Sequence, residues 1–514
     1  MKSLLLFNAN IITMDEVKTY EAVLIRDGDI RDLGRNEDML TRWVGTPSMD
    51  IKGATILPAF FDCHVHALTT GMNALAIDVY DVTDITALIE ILKQADREYE
   101  PGRWIFCKRF DESRVTEGRP PLMAELDVIN RPVFISDRGK HYTVVNRLAY
   151  DALGIHEGIE GVRIDSQGNP IGRLQDQSNR TAQAEFFARW TAEERKHAIH
   201  TTAQLAASRG ITTINAIEGL DSSDDDVPII AEAINELSID MRIWWNTDTI
   251  QKPLSMGWKW WGGDFLLDGS IGSRTAAFDD PYADSDTCGY LNYTDDQVYT
   301  IIEESLIRDV AVSFHCIGQQ GIRQALDQME KALDAHPEKR ANHKLRLEHF
   351  GWPDPEDILR CANLHIKIST QPAFTYLRGG PGSVYHQRLG EQRDRQAYPL
   401  RRLLDAGVVL GGGSDSDVTP MDALLGIHAA VNPPYPENAI TPLEALRMYT
   451  TDAAIVAFED DRKGKISVGM QGDLVVLDQD PLIIDPTKIK DIKVLYTIHQ
   501  GNVVFSSDSP DKNK

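Results

Sequence analysis

The chain has 514 residues, 42% hydrophobic and 25% charged. That is globular composition with ample apolar material for a large core, and it excludes disordered, collagen-like and fibrous chains. The formal net charge of −25 repels nucleic-acid phosphates and anionic lipid, so no nucleic-acid and no membrane partner is expected.

At about 150 residues per domain, the length fills roughly three domains or one large (β/α) barrel with additions. The apolar run in MKSLLLFNANIITMD is broken by Asn8 and Asn10 before it takes signal-peptide form. No stretch reaches the roughly 18 apolar residues of a membrane helix. The five cysteines, Cys63, Cys107, Cys288, Cys316 and Cys361, are odd in number and dispersed. This pattern suits reduced thiols in a cytoplasmic protein.

SLLLFNANIITM and AVLIRDGDI read as short strands, with a turn at Asp27-Gly28. GKISVGMQGDLVVLD and VLYTIHQGNVVFSS share that texture near the other end. The two ends predict one composite β-sandwich from residues 1–57 and 465–506, followed by a disordered tail at 507–514. Between them, residues 58–464 alternate strands with helices. The strand candidates are ATILPAFFDCHVH, GITTINAIEG, DMRIWWNTD, GGDFLLDGSIG, VAVSFHCIG, KLRLEHF, HIKISTQP and GVVLGGGSD. Eight strands with helical crossovers predict an α/β fold, a (β/α)8 TIM barrel. The first gap is too long for one crossover, so residues 72–205 are expected to form an insertion with its own strands, RWIFCKRFD and RPVFISDRG.

His64 and His66 stand at i and i+2 at the end of an apolar strand, so both imidazoles face one side. On a barrel strand that side can be the interior at the C-terminal mouth, where active sites sit. Paired neutral imidazoles suit zinc or a similar divalent ion. His315, His349 and Asp415 end three further strand candidates. Converging N and O donors at one mouth are what a catalytic metal requires.

PAFFDCHVH followed by TTG resembles the first-strand metal motif of the amidohydrolase superfamily, and specifically its YtcJ-like, amidohydrolase-3 branch. FDESRVTEGRPPLMAELD, RPVFISDRGKHYTVVN, DGSIGSRTAAF, HCIG, RLEHF, AYPLRRLLDAGVVLGGGSD, ITPLEALRMYTTDAA and KGKISVGMQGDLVVLDQDP fit the same branch in order along nearly the whole chain. The resemblance implies a distorted barrel, a small β-sandwich from both termini and metal-dependent hydrolysis. It carries the metal pattern onto His64, His66, His315, His349 and Asp415. It also implies a carboxylated, metal-bridging lysine four residues before DGS, where this chain has the much shorter Asp264. That departure favours one zinc ion over two, with Asp264 outside the coordination shell and His349 either ligating or orienting water. Asn215 and Gln319 stand where the branch often has His and Asp.

The expected chemistry is cleavage of a carbon–nitrogen bond in an amide, N-formyl or cyclic amide. Asp415 is the general base and then acid, and His349 stabilises the oxyanion. His141, matching a histidine of the branch's insertion, and Arg274, on the loop after the fourth strand, are the candidate substrate contacts. Cys63 and Cys316 alternate away from their neighbouring histidines and are expected to pack. Trp244, Trp245, Trp258, Trp260 and Trp261 are read as core, and DSSDDDVP as a solvated loop. LRGGPGSVYHQRLG is either a flap or a surface excursion. The competing readings are a metal-dependent deaminase of a small heterocycle and a non-catalytic scaffold that kept the barrel. A homodimer is expected from the resemblance.

Overall fold

Eight parallel strands pair in unbroken chain order: β1 (Phe60–Val65), β2 (Ile211–Glu218), β3 (Asp240–Trp245), β4 (Trp260–Leu266), β5 (Ala311–Cys316), β6 (Leu345–His349), β7 (Lys367–Thr370) and β8 (Leu410–Gly412). The computed structural model describes residues 2–15, 19–138, 141–219 and 226–508. Most of the acidic run in DSSDDDVP and the end of the expected tail lie outside them. The chain divides into two compact units, Met1–Thr70 with Ile199–Lys514, and Gly71–Ala198.

In the first unit the predicted TIM barrel is present, with all eight predicted strands in place. The first candidate splits in two: Thr55–Pro58 joins a terminal sheet, and β1 begins at Phe60. The ring is nearly closed by main-chain hydrogen bonds beyond the end of β8. Asp415 N donates to His64 O (2.8 Å), and His66 N donates to Ser416 O (2.8 Å). Closure therefore sets the backbones of Asp415, His64 and His66 side by side. Alternation along β1 sends Phe61 and Cys63 outward against Ala453, Ala454 and Val456, and leaves Asp62 and His64 on the inner face. The five cysteines are free, and all but Cys288 are buried. Trp244 lies buried under the Arg346 guanidinium, 4.3 Å from its ring centre, so it packs within the unit and forms no open aromatic wall.

Both termini contribute to two small sheets. One orders Asp29–Gly34, Ala22–Arg26, Ser3–Phe7 and Ser48–Asp50; the other orders Asn10–Ile11, Thr55–Pro58, Leu474–Leu477, Val494–His499 and Asn502–Ser506. Leu6 and Ile25 from the first meet Ile56, Leu474 and Ile498 from the second in one apolar core, the packing of a sandwich.

Under the barrel, buried Lys463 joins β3 to the second terminal sheet. Its ammonium contacts Asp240, lies 3.5 Å from Asp473 Oδ2 and donates to Thr213 Oγ1 (2.7 Å). Asp240, Asp473 and His499 have donor spacing suited to a cation, but the Lys463 ammonium already supplies the positive charge there.

The second unit is a six-stranded sheet ordered Val162–Ile164, Pro170–Gln175, Tyr142–Val145, Val133–Asp137, Ile105–Phe110 and Ile77–Asp78. Helix Ile85–Glu98 begins at Asp84, whose carboxylate accepts from Ala87 N (2.8 Å) and so caps the first turn. Its Leu88, Leu92 and Ala95 pack on Ile105, Cys107, Val133 and Ile135. The other sheet face carries Phe106 and Phe134, which pack on Ala182 and Phe186 of helix Asp176–Ala188.

Burial pushes Asp240 upward, but the charges of Lys463 and Arg242 outweigh it and hold the carboxylate well below its usual range. A group with a depressed folded pKa stabilises the fold above its unfolded pKa, and that stability is lost as pH falls. Lys463→Met is expected to cost about 3 kcal/mol at neutral pH, because it removes the ammonium that Asp240 and Asp473 share and leaves Asp240 only Arg242, and Asp473 only His499, as basic partners among the described residues. Thermal melts from about pH 5 down to about pH 2 should also show a shallower acid loss in the variant than in the native chain.

Candidate metal centre

His64 reaches the barrel mouth on β1 with His66 just past its end, His315 on β5 and His349 on β6, with Asp264 on β4 and Asp415 just past β8. His64, His66 and His315 follow strand alternation, whereas Asp264 sits in a break in the β4 register and two further positions leave the extended conformation. His349 has φ +68° and Asp415 φ +51°, the left-handed region that costs a non-glycine residue about 1–2 kcal/mol. At His349 this turn lets two consecutive residues, Glu348 and His349, both take part in the centre.

Each imidazole is fixed by its second nitrogen. His64 Nδ1 faces Glu348 Oε2 (2.9 Å), His66 Nδ1 faces Ile217 O (3.3 Å), His349 Nδ1 faces Gln371 Oε1 (2.7 Å) and His315 Nε2 faces Gly269 O (3.2 Å). Each of these partners is an acceptor, so the facing nitrogen carries the hydrogen and the opposite one carries the lone pair. The free lone pairs are Nε2 of His64, His66 and His349, and Nδ1 of His315. All four turn toward the two carboxylates. Asp415 Oδ1 is 3.1 Å from His66 Nε2 and 3.5 Å from His64 Nε2. Asp264 is 3.5 Å from both His66 Nε2 and His315 Nδ1, and 3.9 Å from both His64 Nε2 and His349 Nε2.

The expectation that Asp264 falls short of the cluster does not hold. The register of β4 against β5 jumps from Gly262, opposite Ser313, to Phe265, opposite Phe314, so Gly263 and Asp264 are extra residues in a bulge. Gly262 (φ +80°) and Gly263 (φ +101°) permit it. A Cβ at either position would come within 2.6 Å of Phe265 or Ile217. The bulge carries the short side chain inward.

Burial opposes every charge in this cluster. The carboxylates of Asp415 and Asp264 nevertheless hold His66 up at about 10, and Asp264 with Asp268 holds His315 at about 9. His64 is raised against burial by Asp415, Asp264 and Glu348. His349 is lowered by burial and by neighbouring His315. The imidazoles of His315 and His349 hold Asp264 well below its usual range despite burial, and those of His64 and His66 lower Asp415. His64 Nε2, Asp264 Oδ1 and Asp415 Oδ1 are buried and make no hydrogen bond. Three inward-facing acceptor atoms without a donor, among converging lone pairs, fit a divalent cation.

Behind the donors lies a layer that sequence reasoning did not single out. Arg346 donates to both Glu348 oxygens (2.7 and 3.0 Å), and Glu348 in turn orients His64. The spacing of Arg346 and Glu348, two charges at i and i+2 within the apolar LRLEHF strand, was the available signal. Asp62 Oδ1 accepts from Ser414 N (2.8 Å) and clamps β1 to the β8 end; burial raises its carboxyl to about 6. Glu218 accepts from Leu68 N (3.0 Å) at the start of helix Ala67–Ala74, and burial raises it to about 7.

Arg274 forms a two-point pair with Asp284 (2.9 and 2.8 Å), and Arg388 joins the same carboxylate. The guanidinium of Arg274, expected as a substrate contact, thus pairs with Asp284 and ties the loop. His141 is exposed in the turn before Tyr142–Val145 of the second unit. Gln319 donates to Asp354 (2.7 Å). Asn215 is buried with neither polar atom of its side chain hydrogen-bonded. The glycine-rich LRGGPGSVYHQRLG segment packs Tyr385 and Leu389 against Trp352, Phe374 and Tyr398.

Comparison with known proteins is consistent along the chain. The sequence profile of the Amidohydrolase family matches residues 48–505. The amidohydrolase YtcJ of Bacillus subtilis is 26% identical over 96% of this chain and 97% of its own. An N-substituted formamide deformylase of Arthrobacter pascens is 25% identical over 98% of each. The crystal structure of a metal-dependent hydrolase from Pyrococcus furiosus superposes with a TM-score of 0.80 at 26% identity, covering 93% of this chain and 100% of that one.

Gln371→Leu removes the acceptor that orients His349 while keeping its bulk. It is expected to weaken divalent-metal binding by about 10- to 100-fold, measured by competition with a chromogenic chelator.

Proposed function

Because the chain belongs to the amidohydrolase family, we propose that it is a metal-dependent hydrolase that cleaves the carbon–nitrogen bond of an amide, N-formyl or cyclic amide in a small molecule. The observation that carries this reading is the convergence of four imidazole lone pairs and two carboxylates at the barrel mouth, where His64 Nε2, Asp264 Oδ1 and Asp415 Oδ1 are buried and make no hydrogen bond among the described residues. The relative named as an N-substituted formamide deformylase supports an N-formyl or related amide as the first substrate class.

The donors His64, His66, His315, His349, Asp264 and Asp415 would hold the ion, and zinc suits their N and O atoms. When bound, the ion supplies Lewis acidity and lowers the pKa of water toward neutrality. Asp415 is the general base: it is kept ionised by His64 and His66, and its Oδ1, facing their Nε2 atoms, makes no hydrogen bond among the described residues. It takes the proton of the attacking water and delivers it to the leaving nitrogen, giving a carboxylate and an amine. His349 acts as a ligand. Its Nδ1 hydrogen is committed to Gln371, so Nε2 offers a lone pair and no hydrogen for an oxyanion. Glu348 holds His64 in the ligating orientation.

Incubation of the zinc-loaded protein with a panel of N-substituted formamides, acyl amides and cyclic amides should release amine from at least one of them. Chelation should abolish the release and added zinc should restore it. Asp415→Asn should lower kcat by about 10²- to 10⁴-fold. A metal-loaded protein inert across the panel, or an Asp415→Asn variant with native kcat, would overturn the reading.

A further inference from the structure

The second unit encloses a cavity of about 620 Å³, and none of its lining residues belongs to the metal centre. Its wall is aromatic. Trp104 and Phe106, two residues apart in extended chain, take one face. Trp190 follows Phe186 by four residues, just past the end of helix Asp176–Ala188. The Phe186 ring centre lies 5.0 Å from that of Phe106, 5.6 Å from Trp104 and 6.3 Å from Trp190. Phe106 and Phe186 are buried, whereas the two tryptophans are half-buried. A cavity of this volume with such a wall suits a small molecule built on one or two fused rings.

The rim supplies donors that the protein does not use. The Arg103 guanidinium lies 4.2 Å from the Tyr99 ring centre and that of Arg189 lies 5.8 Å from the Trp104 ring centre. Arg189 also donates to Ala152 O. Neither guanidinium pairs with a carboxylate among the described residues, although the chain carries a formal net charge of −25. The indole N–H groups of Trp104 and Trp190 make no hydrogen bond among the described residues. Two of the lining carboxylates are already engaged. Glu193 pairs with Lys196 (3.4 Å), and Glu194 accepts from Thr191 N (2.7 Å) and Oγ1 (2.8 Å) at the start of helix Ala192–Ser208. The third, Glu100, is exposed. Uncommitted cationic donors beside an aromatic wall match a ligand with an aromatic body and negatively charged acceptor oxygens.

We propose that this cavity binds a small aromatic carboxylate, with its ring against the Trp104, Phe186 and Trp190 wall and its carboxylate at the arginine rim. The site lies within the second unit, so the proposal stands apart from the reading of the metal centre.

The test titrates the full-length protein with 2-naphthoate by isothermal calorimetry, and then with naphthalene-2-methanol and with acetate. One equivalent of 2-naphthoate per chain is expected, and its binding should survive chelation of metal. The neutral alcohol and the ring-free acetate should each bind at least about 10-fold more weakly. Arg103 is exposed, so Arg103→Gln leaves the core untouched; it should weaken 2-naphthoate by about 10-fold and leave the alcohol unchanged. Trp190→Leu, with a melting curve confirming the fold, should weaken 2-naphthoate by about 10-fold or more. Hydrogen exchange on the native chain should show added protection over residues 186–197 when 2-naphthoate is bound. No uptake, as when a second copy of the chain covers the cavity, would overturn the proposal. So would equal affinity for the alcohol or the acetate, or native affinity in Arg103→Gln. Binding lost on chelation, or protection confined to other segments, would assign the carboxylate to a different site and overturn it as well. Exchange and selectivity of the native chain decide the matter even if Trp190→Leu does not fold.

Discussion

Two carboxylates and four imidazoles, all but His66 buried, meet at the barrel mouth, and much of the local structure follows from the electrostatic demand of that arrangement. Burial raises the cost of any uncompensated charge, so the cluster must hold protons or cations in defined places. The His66 and His315 pKa values, about 10 and 9, express this demand in the absence of a metal. The same lone pairs that then bind protons are the ones a cation would use.

The supporting layer keeps those lone pairs aimed. Glu348, Gln371, Ile217 O and Gly269 O each accept one imidazole hydrogen, and this choice of nitrogen determines which side of each ring is free. Arg346 is wholly buried and its charge is balanced by Glu348, so the residue that orients His64 is itself held by an ion pair inside the barrel. The centre also borrows from barrel closure. The same hydrogen bonds that join β1 to the segment after β8 set Asp415 beside His64 and His66. Ring closure and site assembly are therefore one event. At the opposite end Lys463 satisfies Asp240 and Asp473 with an ammonium, so two clusters of buried acids in one unit are neutralised by different means.

The sequence by itself determined the architecture and most of the donor set. Apolar strands at barrel spacing, with helical crossovers between them, have few other ways to bury their faces, and the period-two alternation of His64 and His66 places both rings on one side whatever the neighbours do. His315, His349 and Asp415 were legible because donors at the ends of parallel strands meet at one mouth. Tertiary structure alone decided the rest, because it depends on departures from regular backbone. The Gly262–Gly263 bulge carries Asp264 inward despite its short side chain, and the left-handed turns at His349 and Asp415 set aside the alternation rule. The pairing of Arg274 was not legible for a related reason: its partner Asp284 lies ten residues along the same loop, and loop conformation carries no periodic signal. Periodicity reports which face a side chain takes on a regular strand. Reach, tautomer and partner are set by local breaks in that regularity and by contacts between distant strands.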